Sequence, residues 1–284
     1  GFFDYESGDN GSTSHTYNEA GDYVAVLKVT DDLGVYNYAS FEITAVESGS
    51  TLEVGGMISV DQYWTNDVVY NVVDNLYIPD GVTLTIESGT EVRVNSGYHI
   101  RVEGDLVAIG MESERISFTS NSDDPGSGDW VGIWINGTDV ELDDSDNYIS
   151  GTTLQYCDIE YADKGIYIES SIILIDHSLF NYNNSGIYFH NASNTIVRNS
   201  ILEYNGYGVN IFGGNGSGYC NENQFIDNVV TFNSYSGIRF GGYQTRSNYN
   251  IFQNNVISDN GGTGIDCPWA DITDGFNNNI ITNN

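Results

Sequence analysis

The chain has 284 residues, 40 of them acidic and 8 basic, giving a formal net charge of −32 and a pI near 4.1. An envelope of that sign repels phosphates and anionic bilayers and so argues against nucleic acid and anionic membranes as partners, while the lack of a transmembrane-length apolar run argues against direct membrane insertion of this segment. The charge suits a salty or calcium-rich exterior where cations screen self-repulsion. Only 17% of residues are charged and Tyr, Asn and Gly abound, so this is not a disordered acidic tail.

Residues 1–46 read as antiparallel strands. Tyr23, Ala25, Leu27 and Val29 alternate with Val24, Val26 and Lys28, the period of a sandwich strand, and Asp31-Asp32-Leu33-Gly34 turns the chain into a second strand, Tyr38 to Val46. The run His15-Thr16-Tyr17, Gly21, Tyr23, Val29-Thr30-Asp31 and Gly34 resembles the second half of a PKD domain, an Ig-like β-sandwich module of extracellular proteins. Phe3-Asp4-Tyr5 with Gly8-Asp9 keeps a loose form of that family's preceding element. The resemblance implies a partial sandwich whose core is open, so its missing strands are expected upstream or from another chain.

Residues 47–56, beginning Glu47-Ser48-Gly49-Ser50-Thr51, read as a linker, and residues 57–284 as one further domain. Short alternating segments come first, among them Leu76-Tyr77-Ile78, Val92-Arg93-Val94, Ile100-Arg101-Val102 and Ile116-Ser117-Phe118. Pro79-Asp80-Gly81, Ser88-Gly89 and Glu103-Gly104 punctuate them as turns. Two acidic loops, one with Asp123 and Asp124 and one with Asp143, Asp144 and Asp146, are candidates for Ca²⁺, which takes six to eight oxygen ligands. Neither has DxDxDG spacing, and a solvated acidic loop is the competing reading. No cofactor is otherwise required.

From Gly132 onward a short pattern returns: Gly-Ile-Trp-Ile at 132, Gly-Ile-Tyr-Ile at 165, Gly-Ile-Tyr-Phe at 186, Gly-Val-Asn-Ile at 208, Gly-Ile-Arg-Phe at 237 and Gly-Ile-Asp-Cys at 264. The intervals of 33, 21, 22, 29 and 27 residues are those of a solenoid. Asn199, Asn228 and Asn255 stand nine residues before a repeat glycine, followed by Ile201, Val230 and Ile257, with Asn205, Asn233 and Asn260 further on. Apolar, variable, apolar is the period of a strand. Ile166, Ile187, Val209, Ile238 and Ile265 are therefore predicted to face inward, with Ile168, Phe189, Ile211, Phe240 and Cys267. Trp134, Tyr167, Tyr188, Asn210, Arg239 and Asp266 are predicted to face out. The asparagines suit turns, where they tolerate left-handed angles and hydrogen-bond along a stack. The fold class is all-β: a parallel β-helix preceded by the partial Ig-like sandwich. Cys157, Cys220 and Cys267 form no CxxC pair and read as core hydrophobes, with a pair that includes Cys220 as the alternative.

Residues 60–284 resemble secreted parallel β-helix repeat proteins of microbial, notably archaeal, surfaces. The resemblance rests on Trp64, Ile78-Pro79-Asp80-Gly81, Gly104-Asp105-Leu106, Ile116–Ser120 and Gly128-Asp129-Trp130 together with the repeats. It implies a right-handed helix and an extracellular or cell-surface setting. N-x-S/T sequons at Asn10, Asn136, Asn183, Asn191 and Asn215 are candidate glycosylation sites. The fold also hosts polysaccharide lyases and hydrolases, but the G-H-G and R-x-K signatures of polygalacturonases are absent. A lyase needs a base and a cation to stabilise enediolate charge. The residues to examine are Arg239, Asp266 and His177, with His190 nearby; they assemble no full set, and Arg239–Asp266 reads equally as a cross-coil ion pair. The sequence thus reads first as a non-enzymatic surface or matrix protein, structural or adhesive, whose partners are itself or other surface proteins. Uncapped ends would let it assemble end to end into a filament or sheath. The alternative is a polysaccharide-binding or lyase-type polysaccharide-cleaving protein using Trp134, Tyr167 and Tyr188.

Overall fold

The structure, a computed structural model, describes residues 19–30, 33–45, 47–213, 219–241, 246–267 and 271–284, and every regular element in it is a β-strand. Two compact units are present, residues 1–50 and 51–284.

In the first unit, Gly21–Thr30 and Tyr36–Ala45 pair antiparallel, from Gly21 opposite Ala45 to Thr30 opposite Tyr36. The predicted alternation is present, but Val24, Val26, Leu27 and Val29 are all exposed, and no second sheet covers either face among the described residues. His15-Thr16-Tyr17 and Phe3-Asp4-Tyr5 lie outside those residues.

The second unit is a right-handed parallel β-solenoid with three faces. A nine-stranded parallel sheet forms the third face, one strand per turn. A 17-stranded sheet covers the other two, because Thr51–Met57 and Val69–Ile78 each run across both. Here the sequence reading needs correction: Thr51–Met57 is a strand paired with Val69–Ile78, so the solenoid begins inside the segment read as a linker. One turn runs Leu179–Asn181 on the second face, Ser185–His190 on the first and Ile196–Arg198 on the third.

Inward residues form rows along the axis. Ile133, Ile166, Ile187, Val209 and Ile238 are one such row, and Ile135, Ile168, Phe189, Ile211 and Phe240 another, all buried. Burying one such side chain is worth roughly 1.5–3 kcal/mol, so each turn offsets part of its own ordering cost. Cys267 departs from expectation and is exposed: Thr263–Asp266, the strand before it, pairs only with Ser236–Gly241 among the described strands. Cys157 and Cys220 are buried as predicted.

The repeat glycine has a steric cause. A Cβ at Gly165, Gly186, Gly208 or Gly237 would lie 2.6–2.7 Å from the carbonyl oxygen of the equivalent glycine one turn on. No other residue fits so close an approach.

The asparagines sit between faces and hydrogen-bond along the stack as expected, but as buried rungs. Asn183, Asn205, Asn233, Asn260 and Asn284 form a ladder in which each Nδ2 donates to the next Oδ1, at 3.0, 3.1, 2.9 and 2.7 Å. Each of those Oδ1 atoms also accepts the preceding rung's backbone N–H. The left-handed backbone falls one residue earlier, on Tyr182, Tyr204, Phe232, Asp259 and Asn283. A second ladder runs through Asn228, Asn255 and Asn279, and a third through Asn223 and Asn250. In the second ladder Ser200, not Asn199, takes the rung above Asn228. The strand that follows is shifted by one from the expected register: Leu202 is buried and Ile201 exposed. With a two-residue period, one step exchanges the faces.

Replacing Asn233 by Ala strands the Asn205 N–H and the Leu202 carbonyl, both bonded to that side chain. A loss of about 2–6 kcal/mol is expected, at about 1–3 kcal/mol for each of the two buried unpaired groups. Denaturant unfolding checks it; a midpoint equal to the wild type's would refute the ladder's structural weight.

Candidate functional site

Every second residue of a first-face strand points away from the core, and parallel pairing places these residues in rows. The central row is Tyr77, Arg101, Trp134, Tyr167, Tyr188, Asn210, Arg239 and Asp266, each the register partner of the next. The six residues expected to face outward do so, half-buried except for the more deeply covered Asn210. Glu169, His190, Phe212 and Gly241 form a parallel row on one side, and Lys164, Ser185, Tyr207, Ser236 and Thr263 on the other.

Trp134, Tyr167 and Tyr188 occupy adjacent turns. Tyr167 and Tyr188 are stacked, with centroids 5.3 Å apart and 15° between planes. Trp134 stands edge-on to Tyr167 at 86°, so the strip is not flat throughout. Its Nε1 donates to Glu169 Oε2 at 3.2 Å, and the same carboxylate meets His190 Nδ1 at 3.0 Å. Three of the chain's eight Lys and Arg lie here, each over a ring: Arg101 on Trp134 at 4.9 Å, Lys164 on Tyr188 at 5.5 Å and Arg239 on Tyr207 at 5.0 Å. Each also has a carboxylate partner. Arg101 pairs with Glu103, Lys164 with Asp163 at 2.5 Å, and Arg239 more loosely with Asp266 at 4.0 Å. The face is therefore close to neutral within a strongly acidic protein. Beside Arg239 lies an open depression of about 410 Å³ lined by Tyr207, Tyr235, Ser236 and Thr263.

Burial raises the pKa of Tyr167 to about 12, with Glu169 and Tyr188 adding to it, and burial also raises that of Tyr188. Both phenols are thus protonated hydrogen-bond donors rather than bases. Burial and the Arg101 charge lower the pKa of His99, which borders Trp134, so its ring is neutral at pH 7.

Other sequence candidates lie elsewhere. His177 occupies a left-handed corner between the third and second faces, 2.6 Å from Asp176, and does not meet Arg239 or Asp266. Asp123 and Asp124 are exposed, and Asp143 Oδ1 accepts the N–H groups of Ser145 and Asn147, closing its own hairpin with Asp144 and Asp146. No group of three or more His, Cys, Asp or Glu among the described residues is placed to hold a metal ion. Asn183 is a fully buried rung whose Nδ2 makes three hydrogen bonds, which leaves no room for a glycan. Asn136 and Asn191 are half-buried beside the first face, while Asn10 and Asn215 lie outside the described residues. Tyr77 and Arg101 were missed as row members, although their strands alternate clearly; no glycine marks them.

A family model described as a pectate-lyase-like beta helix domain matches residues 56–169. No curated protein matches the chain. Among solved structures, the A-module of the Azotobacter vinelandii mannuronan C-5 epimerase AlgE4 is 14% identical over 79% of this chain and 68% of its own, with a TM-score of 0.44. The periplasmic alginate epimerase AlgG is 10% identical over 83% and 79%, at 0.39, and the Dettilon tailspike protein 16% identical over 73% and 44%, at 0.34.

A folded-state pKa near 12 for Tyr167 exceeds the ordinary tyrosine value of about 10. The stability it contributes is complete below about pH 10 and is lost as pH rises to about 12. Wild type should lose stability across that window relative to Tyr167→Phe, measured by denaturant midpoints; parallel pH profiles would show that the phenol titrates normally.

Proposed function

We propose that the first face binds an uncharged polysaccharide laid along the solenoid axis, and that the protein works as an extracellular carbohydrate-binding surface protein rather than an enzyme. The observation carrying this reading is the in-register row of Trp134, Tyr167 and Tyr188 flanked by charge-compensated cations. Rings repeated at each turn, neutral phenols and ion-paired head groups offer apolar ring edges and hydrogen-bond donors at a regular pitch, which suits a polymer of hydroxyl-rich rings. A net charge of −32 opposes a polyanion as it opposes nucleic acid. The sequence placed polysaccharide binding second to a structural role; this face favours it over that role.

The extracellular setting rests on the acidic envelope and on the resemblance of residues 1–46 to a PKD module.

Calorimetric titration with neutral hexasaccharides of glucan, galactan and mannan type tests the proposal. One of them is expected to bind, and Trp134→Ala or Tyr188→Ala should weaken it about ten-fold, or about 1.4 kcal/mol. Affinity should change little between about 0.1 and 1 M salt, where the screening length falls from about 10 to 3 Å. Binding only of acidic oligomers, or of none, would overturn the reading.

A further inference from the structure

The three cations of the first face are not held alike. Glu103 is taken up by Arg101 and by the Tyr77 hydroxyl, and Asp163 by Lys164 and the Asn184 amide. Arg239 and Asp266 instead stand 4.0 Å apart, beyond hydrogen-bond reach, with 35% and 36% of their side chains exposed. The guanidinium lies over the Tyr207 ring at 5.0 Å, which holds it in place and leaves its N–H donors unbonded. Among the described residues none accepts a hydrogen bond from it, and none donates one to the Asp266 carboxylate.

This open pair borders the depression of about 410 Å³, which Tyr235 and Gly261-Gly262 also line. A Cβ on Gly261 would stand 2.5 Å from the Ser234 carbonyl oxygen, and one on Gly262 2.1 Å from that of Tyr235. Backbone approach thus requires glycine at both, and no side chain rises from that stretch. Ser236 pairs with Thr263, which puts Tyr235 and Gly262 at the same position in successive turns. Tyr235 is 60% exposed, and Tyr207, 5.1 Å away, is its one ring neighbour among the described residues. The depression therefore joins an aromatic wall to an unbonded donor and an unbonded acceptor. It lies two turns beyond Tyr188, roughly 10 Å further along the axis of the ring strip.

We infer that this depression is a subsite for one sugar ring with two adjacent free hydroxyls. One hydroxyl oxygen accepts from the Arg239 guanidinium, its neighbour donates to the Asp266 carboxylate, and the ring lies against Tyr235. A guanidinium only donates and a carboxylate only accepts, so a group that meets both must accept at one atom and donate at a near one. Adjacent hydroxyls do so without net charge, whereas a carboxylate would face Asp266 and an ammonium would face Arg239. The subsite rests on the polysaccharide reading of this face and deepens it. The ring strip takes any hydroxyl-rich ring, but the open pair selects polymers whose linkage leaves neighbouring hydroxyls free.

The test is calorimetric titration of wild type, Trp134→Ala, Arg239→Met and Asp266→Ala with (1→4)- and (1→3)-linked hexasaccharides of the same neutral sugar. Internal rings of the first keep two adjacent hydroxyls, and internal rings of the second keep none. Wild type should bind the (1→4)-linked oligomer at least ten-fold more tightly. Arg239→Met and Asp266→Ala should each lower that affinity about ten-fold and abolish the preference. Their Tm should stay near the wild type's, because a partly exposed, loose pair adds little stability. If wild type shows no such preference, or both pair variants keep it, the subsite is wrong, and weaker binding by Trp134→Ala then shows that the face reading survives. If no hexasaccharide binds wild type, both fall. Should one pair variant fail to fold, the other decides by the same criterion.

Discussion

The contact on which the rest depends is the one between a buried asparagine rung and the glycine beside it. At this corner Asn233 Nδ2 would stand 3.0 Å from a Cβ on Gly208, and the Gly237 carbonyl 2.6 Å from it. The amide ladder fixes the spacing of successive turns, and the glycine lets the chain pass inside it. Turn spacing then sets the register of the inward rows, and the same register lines up the outward ones. The residue before each rung takes a left-handed backbone, even where it is Tyr182, Tyr204 or Phe232. Such angles are unfavourable for bulky side chains. The rings recover part of that by stacking, with centroids 5.6 and 5.3 Å apart along this corner.

Charge is distributed so that the first face differs from the whole. The protein carries −32, yet on this face every lysine or arginine has an acidic partner, the further carboxylate of Glu169 is held by Trp134 and His190, and the remaining contacts are rings, amides and hydroxyls. Partly exposed pairs of this kind contribute little stability. Their consequence is local: the cations of the face are compensated, so an uncharged polymer can lie on it without replacing an ionic partner. The same acidic envelope that opposes polyanions at a distance leaves such a ligand unaffected.

Much of this was legible in the sequence because the solenoid is written in local periods. Gly, apolar, variable, apolar gave the inward rows and the outward stripe from Trp134 to Asp266. The shift at Asn199 was not legible, since Asn199-Ser200 offers two polar residues and only the hydrogen bond to Asn228 selects the second. The boundary at Thr51 was hidden by Gly and Ser in the preceding segment, although Thr51 to Val54 pair as a regular strand. Tyr77, Arg101 and Lys164 lie in the site without a sequence marker, because membership of a row is decided by the turn above and below.

The stripe itself changes character along the axis, and that change is set by neighbouring turns. Its aromatic run of Trp134, Tyr167 and Tyr188 ends at Asn210, a buried amide, and the turns beyond carry the loosely paired Arg239 and Asp266 beside the open depression. Each of these residues could be placed on the stripe from its own segment, but the three consecutive rings form one strip only because the turns are in register. A fold built by repetition therefore confines its aromatic contacts to three adjacent turns and leaves amide, guanidinium and carboxylate groups on the next three.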